Sequence, residues 1–251
     1  MLLILWLTCI AVLSIVMLVV HLEPAQRLHT RRVGPRVLDL PKRTAWKLMS
    51  AIAVPSVLYF YAAHDGFSAH PVLSLSSLTL ALYCAHYLYR SVVFPWRLRS
   101  SGTYSAVVVV CTWCYYVPMG YFFGSYLAGP PTPLFAPSWP LFSLGLTLFV
   151  FGLASTVAHD AALIRLRQGP SSEYRIPQWG LFRFSSNAHY LSELIEWLGL
   201  VLLTGALPAA AHFAAIFLLM VPQALRTHRW YHEYFEGEYP SRRAALIPFV
   251  L

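Results

Sequence analysis

Every lysine and arginine of the chain falls in one of four connections, or at the helix end leading into one. The apolar runs between them are long enough to cross a bilayer. The runs cover Leu2–Val20, about Leu48–Ala63, about Val72–Phe94, Tyr104–Ala128, Leu141 to near His159–Asp160, about His189–Ala206 and about Ala209–Leu225. The connection after the first run holds seven basic residues, and the end of the third run and its loop hold Arg90, Arg97 and Arg99. The loop after the fifth holds Arg165, Arg167, Arg175 and Arg183, and the tail holds Arg226, Arg229, Arg242 and Arg243. These are all eighteen, and the connections on the opposite side have none. Losing one run would scramble the segregation. The positive-inside rule then puts the N-terminus outside and the C-terminus in the cytosol.

The pattern predicts an all-α integral membrane protein, a seven-transmembrane-helix bundle in which residues 1–251 form a single membrane domain. Hydrophobic residues make up 58% of the chain and charged residues only 11%, in line with that class. Membrane β-barrels alternate apolar and polar residues, and nothing here does. The segment Gly129–Pro140 has five prolines and no charge, so it reads as a loop. No basic residue precedes the first run, which argues against a cleaved secretory signal. Cys111 and Cys114 form a CxxC, but inside an apolar run with no second pair they are expected to be small packing residues, and no disulfide is assigned. The net charge of +8 is explained by topology and by attraction to anionic lipid headgroups, so no nucleic-acid partner is expected. A sharper reading of the same basic face is a site for a phosphorylated ligand arriving from the cytosol. Arg90 lies beside Tyr87 and Tyr89, and Arg167 and Arg175 flank a tyrosine and the Gly-Pro turn at 169–170.

The stretch Tyr174–Trp197, YRIPQWGLFRFSSNAHYLSELIEW, begins polar and runs into the sixth apolar segment. There His189, Glu193 and Glu196 stand at i, i+4 and i+7, which is one stripe of a helix. Carboxylates on an otherwise apolar helix are costly and need partners. Two readings stay open for Glu193 and Glu196: a binding wall, or structural pairing with Arg or His on a neighbouring helix.

Three motifs carry a resemblance to a known family. They are HYLYRSVVFPWRLRS (His86–Ser100), the run from HDAALIRLR through EYRIPQWGLF to AHYLSELIEW, and the terminal HRWYHEYFEGEYPSRRAALIPFVL. Together with HTRRVGPRV and RTAW after the first run, they make the chain similar to the steroid 5α-reductases over nearly its whole length, with a C-terminal signature region at about 105–251. The resemblance implies NADPH-dependent reduction of a C=C bond conjugated to a carbonyl in a lipid substrate, most concretely a 3-oxo-Δ4 steroid. Alternatives within this chemistry are a polyprenal or a trans-2-enoyl-CoA. It also implies seven helices and, in a eukaryote, the endoplasmic reticulum membrane. There is no GxGxxG, so no Rossmann site is offered.

By the same resemblance Tyr87 is the tyrosine that hydrogen-bonds the substrate carbonyl, with Ser50 and Arg90 also at the substrate. Arg90, Asp160, Arg167, Tyr174, Arg175, His189, Glu193, His228, Tyr231 and Arg243 match or occupy positions lining the NADPH cavity. No metal is implied. Three positions depart from the family pattern. Ser50 stands where the family carries a glutamate, four residues after Trp46, that partners the tyrosine at the carbonyl. Trp179-Gly180 replaces a Gly-Gly, and His189 replaces an asparagine, giving a His-Tyr pair similar to the polyprenal-reductase branch. Glu196-Trp197 and HYLYR look like the steroid branch.

Competing classes are a membrane di-iron hydroxylase, suggested by ten histidines and the HxxxH at His228–His232, and a membrane methyltransferase of related C-terminal architecture. A di-iron site needs clustered histidines, and His21, His29, His64, His70 and His212 are dispersed along the chain.

Overall fold

The computed structural model describes residues 38–98, 102–130, 132–136, 138–166 and 174–251. The first apolar run, Leu2–Val20, lies outside the described residues, as does Arg167. Each of the other six runs falls on helix. The elements are β1 Asp39–Pro41, α1 Lys42–Ala51, α2 Ala53–Ala63, α3 Gly66–Ala69, α4 Leu75–Leu88, a π-helical turn Tyr89–Val93, α5 Phe94–Arg97, β2 Thr103–Ser105, α6 Ala106–Ala128, α7 Trp139–Leu166, a 3₁₀ turn Gly180–Arg183, α8 Ala188–Thr204, α9 Leu207–Phe235 and a final 3₁₀ turn Glu236–Glu238.

Four helices among the described residues are long and apolar enough to cross a membrane: Lys42–Ala63, Ala106–Ala128, Trp139–Leu166 and Leu207–Glu238, of 22, 23, 28 and 32 residues. The chain is accordingly a mainly helical, multi-pass membrane protein. The other two runs are shorter as helices. α8 has 17 residues, and α4 has 14 before the π turn interrupts it.

The chain folds into two compact units. The first takes the described residues up to Ser138 together with Thr204–His212. Its helices are punctuated by local chemistry. α1 and α2 part at Ile52, because Pro55 has no N–H to return to the carbonyl of Ala51. Ser74 caps α4, its hydroxyl accepting from the Ser77 N–H at 3.1 Å. A small β ribbon, absent from the all-helical expectation, pairs β1 with β2 antiparallel in the register Asp39↔Ser105, Leu40↔Tyr104 and Pro41↔Thr103. It ties the start of α1 to the start of α6 above a cluster of Ala45, Met49, Val108 and Val109. α2 and α6 pack closely because α6 offers Gly120 and Gly124 one turn apart. A Cβ on Gly124 would stand 2.7 Å from the Val57 carbonyl oxygen. In a bilayer such small-xxx-small seams supply the van der Waals contact that the hydrophobic effect cannot.

The second unit comprises Trp139–Leu203 and Phe213–Leu251. α7 and α8 meet backbone to backbone. Cβ atoms built on Gly145 and Gly199 would run into Leu203 N and Phe149 N respectively. Gly199→Val is therefore expected to cost about 1–3 kcal/mol or more, read as a lowered melting temperature in detergent. Retention of the wild-type melting temperature would count against this seam. From hydropathy the last run ends at Leu225, yet α9 continues to Phe235. No glycine or proline interrupts residues 226–235, and Trp230, Tyr231, Tyr234 and Phe235 stack on one another at helical spacing.

Candidate active site

α4 is short, but its last turns carry a file of buried rings. Tyr83 and Tyr87 lie four residues apart on one face with centroids 4.6 Å apart, and both are almost wholly buried. Tyr116 of α6 lies 5.1 Å from Tyr87 and His86 lies 4.8 Å away. The Tyr87 Oη is 2.9 Å from His212 Nε2, and the Tyr115 Oη is 2.6 Å from His212 Nδ1. His212 belongs to the opening residues of α9 within the first unit, and none of its surface is exposed. Both ring nitrogens of a buried imidazole are thus engaged by phenols.

After Leu88 the ladder widens into the π turn Tyr89–Val93. Such turns re-aim side chains and often mark functional sites. Here the turn buries Arg90, whose guanidinium lies 5.4 Å from the Phe94 ring centroid and 5.9 Å from that of Tyr89. Ser50, at the end of α1, is buried as well.

In the second unit the stretch from Tyr174 onward is held by one histidine. The Leu181 N–H donates to His159 Nε2 at 3.1 Å, so Nδ1 carries the proton and donates to Ser192 Oγ at 3.0 Å. Ser192 in turn donates to the Ala188 carbonyl. Gly180 takes φ +61°, and a Cβ there would stand 2.6 Å from His159 Nε2, so the glycine of Trp179-Gly180 is required twice over. His159 also touches Phe182, which lies 6.3 Å from His189 between ring centroids. The His189, Glu193, Glu196 stripe does lie on a helix, α8. Glu193 and Glu196 are buried, and Glu196 backs onto Gly152 of α7. Asp160 is buried beside His159 on α7.

A second cluster joins the end of α9 to the tail. The Tyr239 hydroxyl donates to Ser186 Oγ at 2.7 Å, and Ser186 donates to the Ala244 carbonyl. With its one proton used there, Ser186 accepts from His228 Nδ1 at 2.6 Å. Tyr231 stacks on Tyr239 at 5.0 Å, and the Arg243 guanidinium lies 5.3 Å from the Tyr239 ring centroid. Asn187 donates to the carbonyls of Ala224 and Ala245 at 3.1 and 2.8 Å, which fastens the tail to α8 and α9. Asn187→Ala removes both of these buried bonds, at about 1–3 kcal/mol, checked by thermal unfolding in detergent. An unshifted transition would mean that the tail is held elsewhere.

The structure thus brings His228, Tyr231 and Arg243 together around Tyr239. Arg175 lines a recess of about 340 Å³ together with Arg165, Pro177, Gln178 and Trp179. Tyr174 packs edge-on to Trp230 at 4.8 Å. Arg243 is more than nine-tenths buried, yet its Nε and Nη1 meet no hydrogen-bond partner among the described residues. A buried cation with unsatisfied donors is what an anionic ligand group fits. Among the described residues no three His, Cys, Asp or Glu side chains are grouped to hold a metal ion.

Sequence reasoning assigned no site role to His212, a lone histidine in an apolar run, or to His159, although His159 opens the HDAALIRLR motif. The signal was available for His212: an ionisable side chain inside an apolar segment marks a functional position by default.

Apolar helices with buried phenols, imidazoles and guanidiniums define a multi-pass membrane protein built around polar sites. The chain belongs to the 3-oxo-5-alpha-steroid 4-dehydrogenase family, whose model matches residues 102–251. It is 34% identical to the human 3-oxo-5-alpha-steroid 4-dehydrogenase 2 over 231 residues, 88% of this chain and 86% of the relative. It is 32% identical to the rat 3-oxo-5-alpha-steroid 4-dehydrogenase 1 over 221 residues, 85% and 82% of the two chains.

Proposed function

We propose that the protein is an oxidoreductase that reduces the conjugated C=C bond of a lipid enone with NADPH, with a 3-oxo-Δ4 steroid as the substrate. Family membership supports the reaction class, and the names of the relatives supply the steroid. The observation that carries the reading is Tyr87, a buried phenol hydrogen-bonded to a buried imidazole at the end of an apolar helix. Such a phenol can donate to a carbonyl oxygen and stabilise the negative charge that grows there as the β-carbon is reduced. Ser50 and Arg90, both buried, would complete the substrate wall.

NADPH supplies the hydride in this chemistry, and a proton from solvent goes to the α-carbon, so that enone, NADPH and H⁺ become saturated ketone and NADP⁺. The residues of the second unit fit such a dinucleotide, because Arg243 keeps buried donors to spare and Arg165 and Arg175 line one recess. Arg243, Arg175 and Arg167 would hold phosphate oxygens. Glu193 and Asp160 would accept from ribose or carboxamide groups, and Tyr174, His189, His228 and Tyr231 would pack and hydrogen-bond along the cofactor. A seven-helix arrangement with the N-terminus outside and a basic cytosolic face would give a soluble dinucleotide access, while the greasy substrate enters from lipid. In a eukaryotic cell that membrane would be the endoplasmic reticulum.

The test is anaerobic NADPH oxidation in detergent with a steroid enone, a polyprenal and a trans-2-enoyl-CoA side by side. Steroid-dependent oxidation that yields the saturated ketone supports the reading. Turnover with the polyprenal alone would move the substrate to that branch, in keeping with His189-Tyr190, and no turnover with any enone would sink the reductase reading.

A further inference from the structure

We propose that His212, bridged to Tyr115, is the positioning residue that directs the Tyr87 hydroxyl at the substrate carbonyl. The inference rests on the enone reading above. Tyr87 Oη lies 2.9 Å from His212 Nε2, and Tyr115 Oη lies 2.6 Å from Nδ1 of the same ring, all within the first unit.

A neutral imidazole has one donor and one acceptor nitrogen, so the two phenols cannot play the same part. In one arrangement Nδ1–H donates to Tyr115 and Tyr87 donates to Nε2. The single proton of Tyr87 is then consumed by the ring and cannot reach a carbonyl. In the other, Tyr115 donates to Nδ1, Nε2–H donates to the Tyr87 oxygen, and the Tyr87 proton turns away from the imidazole. Only this second tautomer makes Tyr87 a donor to substrate.

It also makes a directed chain, Tyr115 to His212 to Tyr87 to carbonyl. Each donation polarises the next, strengthening it by something like 10–30% per bond. The gain rises as negative charge develops on the carbonyl oxygen, so it falls on the transition state more than on the bound substrate. Full burial keeps the ring from being drawn off by water, and bonds at both nitrogens fix its plane.

The experiment compares wild type with His212→Phe, His212→Gln and Tyr115→Phe. Enone-dependent NADPH oxidation is read alongside the isotope-edited infrared carbonyl stretch of a labelled steroid enone bound in the presence of NADP⁺. His212→Phe should lower kcat roughly ten- to hundredfold, less than loss of the phenol donor itself, with the KM for enone little changed. The bound carbonyl stretch, lowered in wild type, should move back up. His212→Gln, whose amide offers both a donor and an acceptor, should recover much of the rate and of the shift, and Tyr115→Phe should show a smaller loss of the same kind. If His212→Phe does not fold, the Gln and Tyr115 variants carry the test. Active wild type with unaltered kcat and carbonyl frequency in these variants overturns the role of His212 alone. Wild type with neither turnover nor a lowered carbonyl stretch overturns the enone reading, and this inference with it.

Discussion

Tyr87→Phe should lose most turnover while the protein folds and binds NADPH as before. The substitution removes one oxygen from a ring otherwise held by Tyr83, His86 and Tyr116, so the aromatic packing remains. It leaves His212 Nε2 without that phenol, at a cost of about 1–3 kcal/mol to stability, which lowers the melting temperature without abolishing the fold. The effect on chemistry is larger, because a donor aimed at a developing oxyanion is worth roughly a hundred- to thousandfold in kcat. Enone-dependent NADPH oxidation measures the loss, and dinucleotide affinity measured separately distinguishes it from a binding defect. A kcat within about threefold of wild type would remove Tyr87 from the chemistry.

The second large effect is expected at Arg243. Its Nε and Nη1 are buried without hydrogen-bond partners among the described residues, and the guanidinium lies over Tyr239. Holding an unsatisfied cation away from water is unfavourable for the ligand-free protein, so Arg243→Ala should leave its melting temperature close to wild type. On the proposed reading a bound dinucleotide would supply the missing acceptors. Charge-assisted bonds are each worth about 1.5–3 kcal/mol, so removing the side chain should weaken NADPH binding roughly tenfold to a hundredfold. Arg243→Lys should recover only part, since a lysine offers a point charge where the arginine offers a planar fork. The expected signature is therefore a split: stability retained, and thermal stabilisation by added NADPH lost. Equal NADPH affinity in wild type and Arg243→Ala would leave the dinucleotide without its anchor in the tail.

Much of the fold follows from local pattern. Six apolar runs read from composition coincide with helices, and four of these helices have the length to cross a bilayer. The spacing of His189, Glu193 and Glu196 placed them on one helix, and they lie on α8. The interruptions were harder to see. The break at Ile52, the π turn after Leu88 and the continuation of α9 to Phe235 depend on which backbone groups find partners and which rings find neighbours. Hydropathy does not register either.

The candidate site divides in the same way. Tyr87, Arg90 and Arg243 were marked by the motifs in which they sit, because motif residues are close together in the chain. His212 was not, since it lies 125 residues from Tyr87 and its neighbours in sequence are alanine and phenylalanine. His159 opens a motif, but its bond to the Leu181 N–H spans 22 residues, and Asn187 reaches 37 and 58 residues along the chain to the carbonyls of Ala224 and Ala245. Helical period and apolar length are properties of short stretches, so the sequence by itself determined the class of protein, where six apolar helical runs fall and its motif residues. Which imidazole meets which phenol, and which arginine is buried with donors to spare, depends on contacts between segments far apart in the chain, and only the tertiary structure decided those.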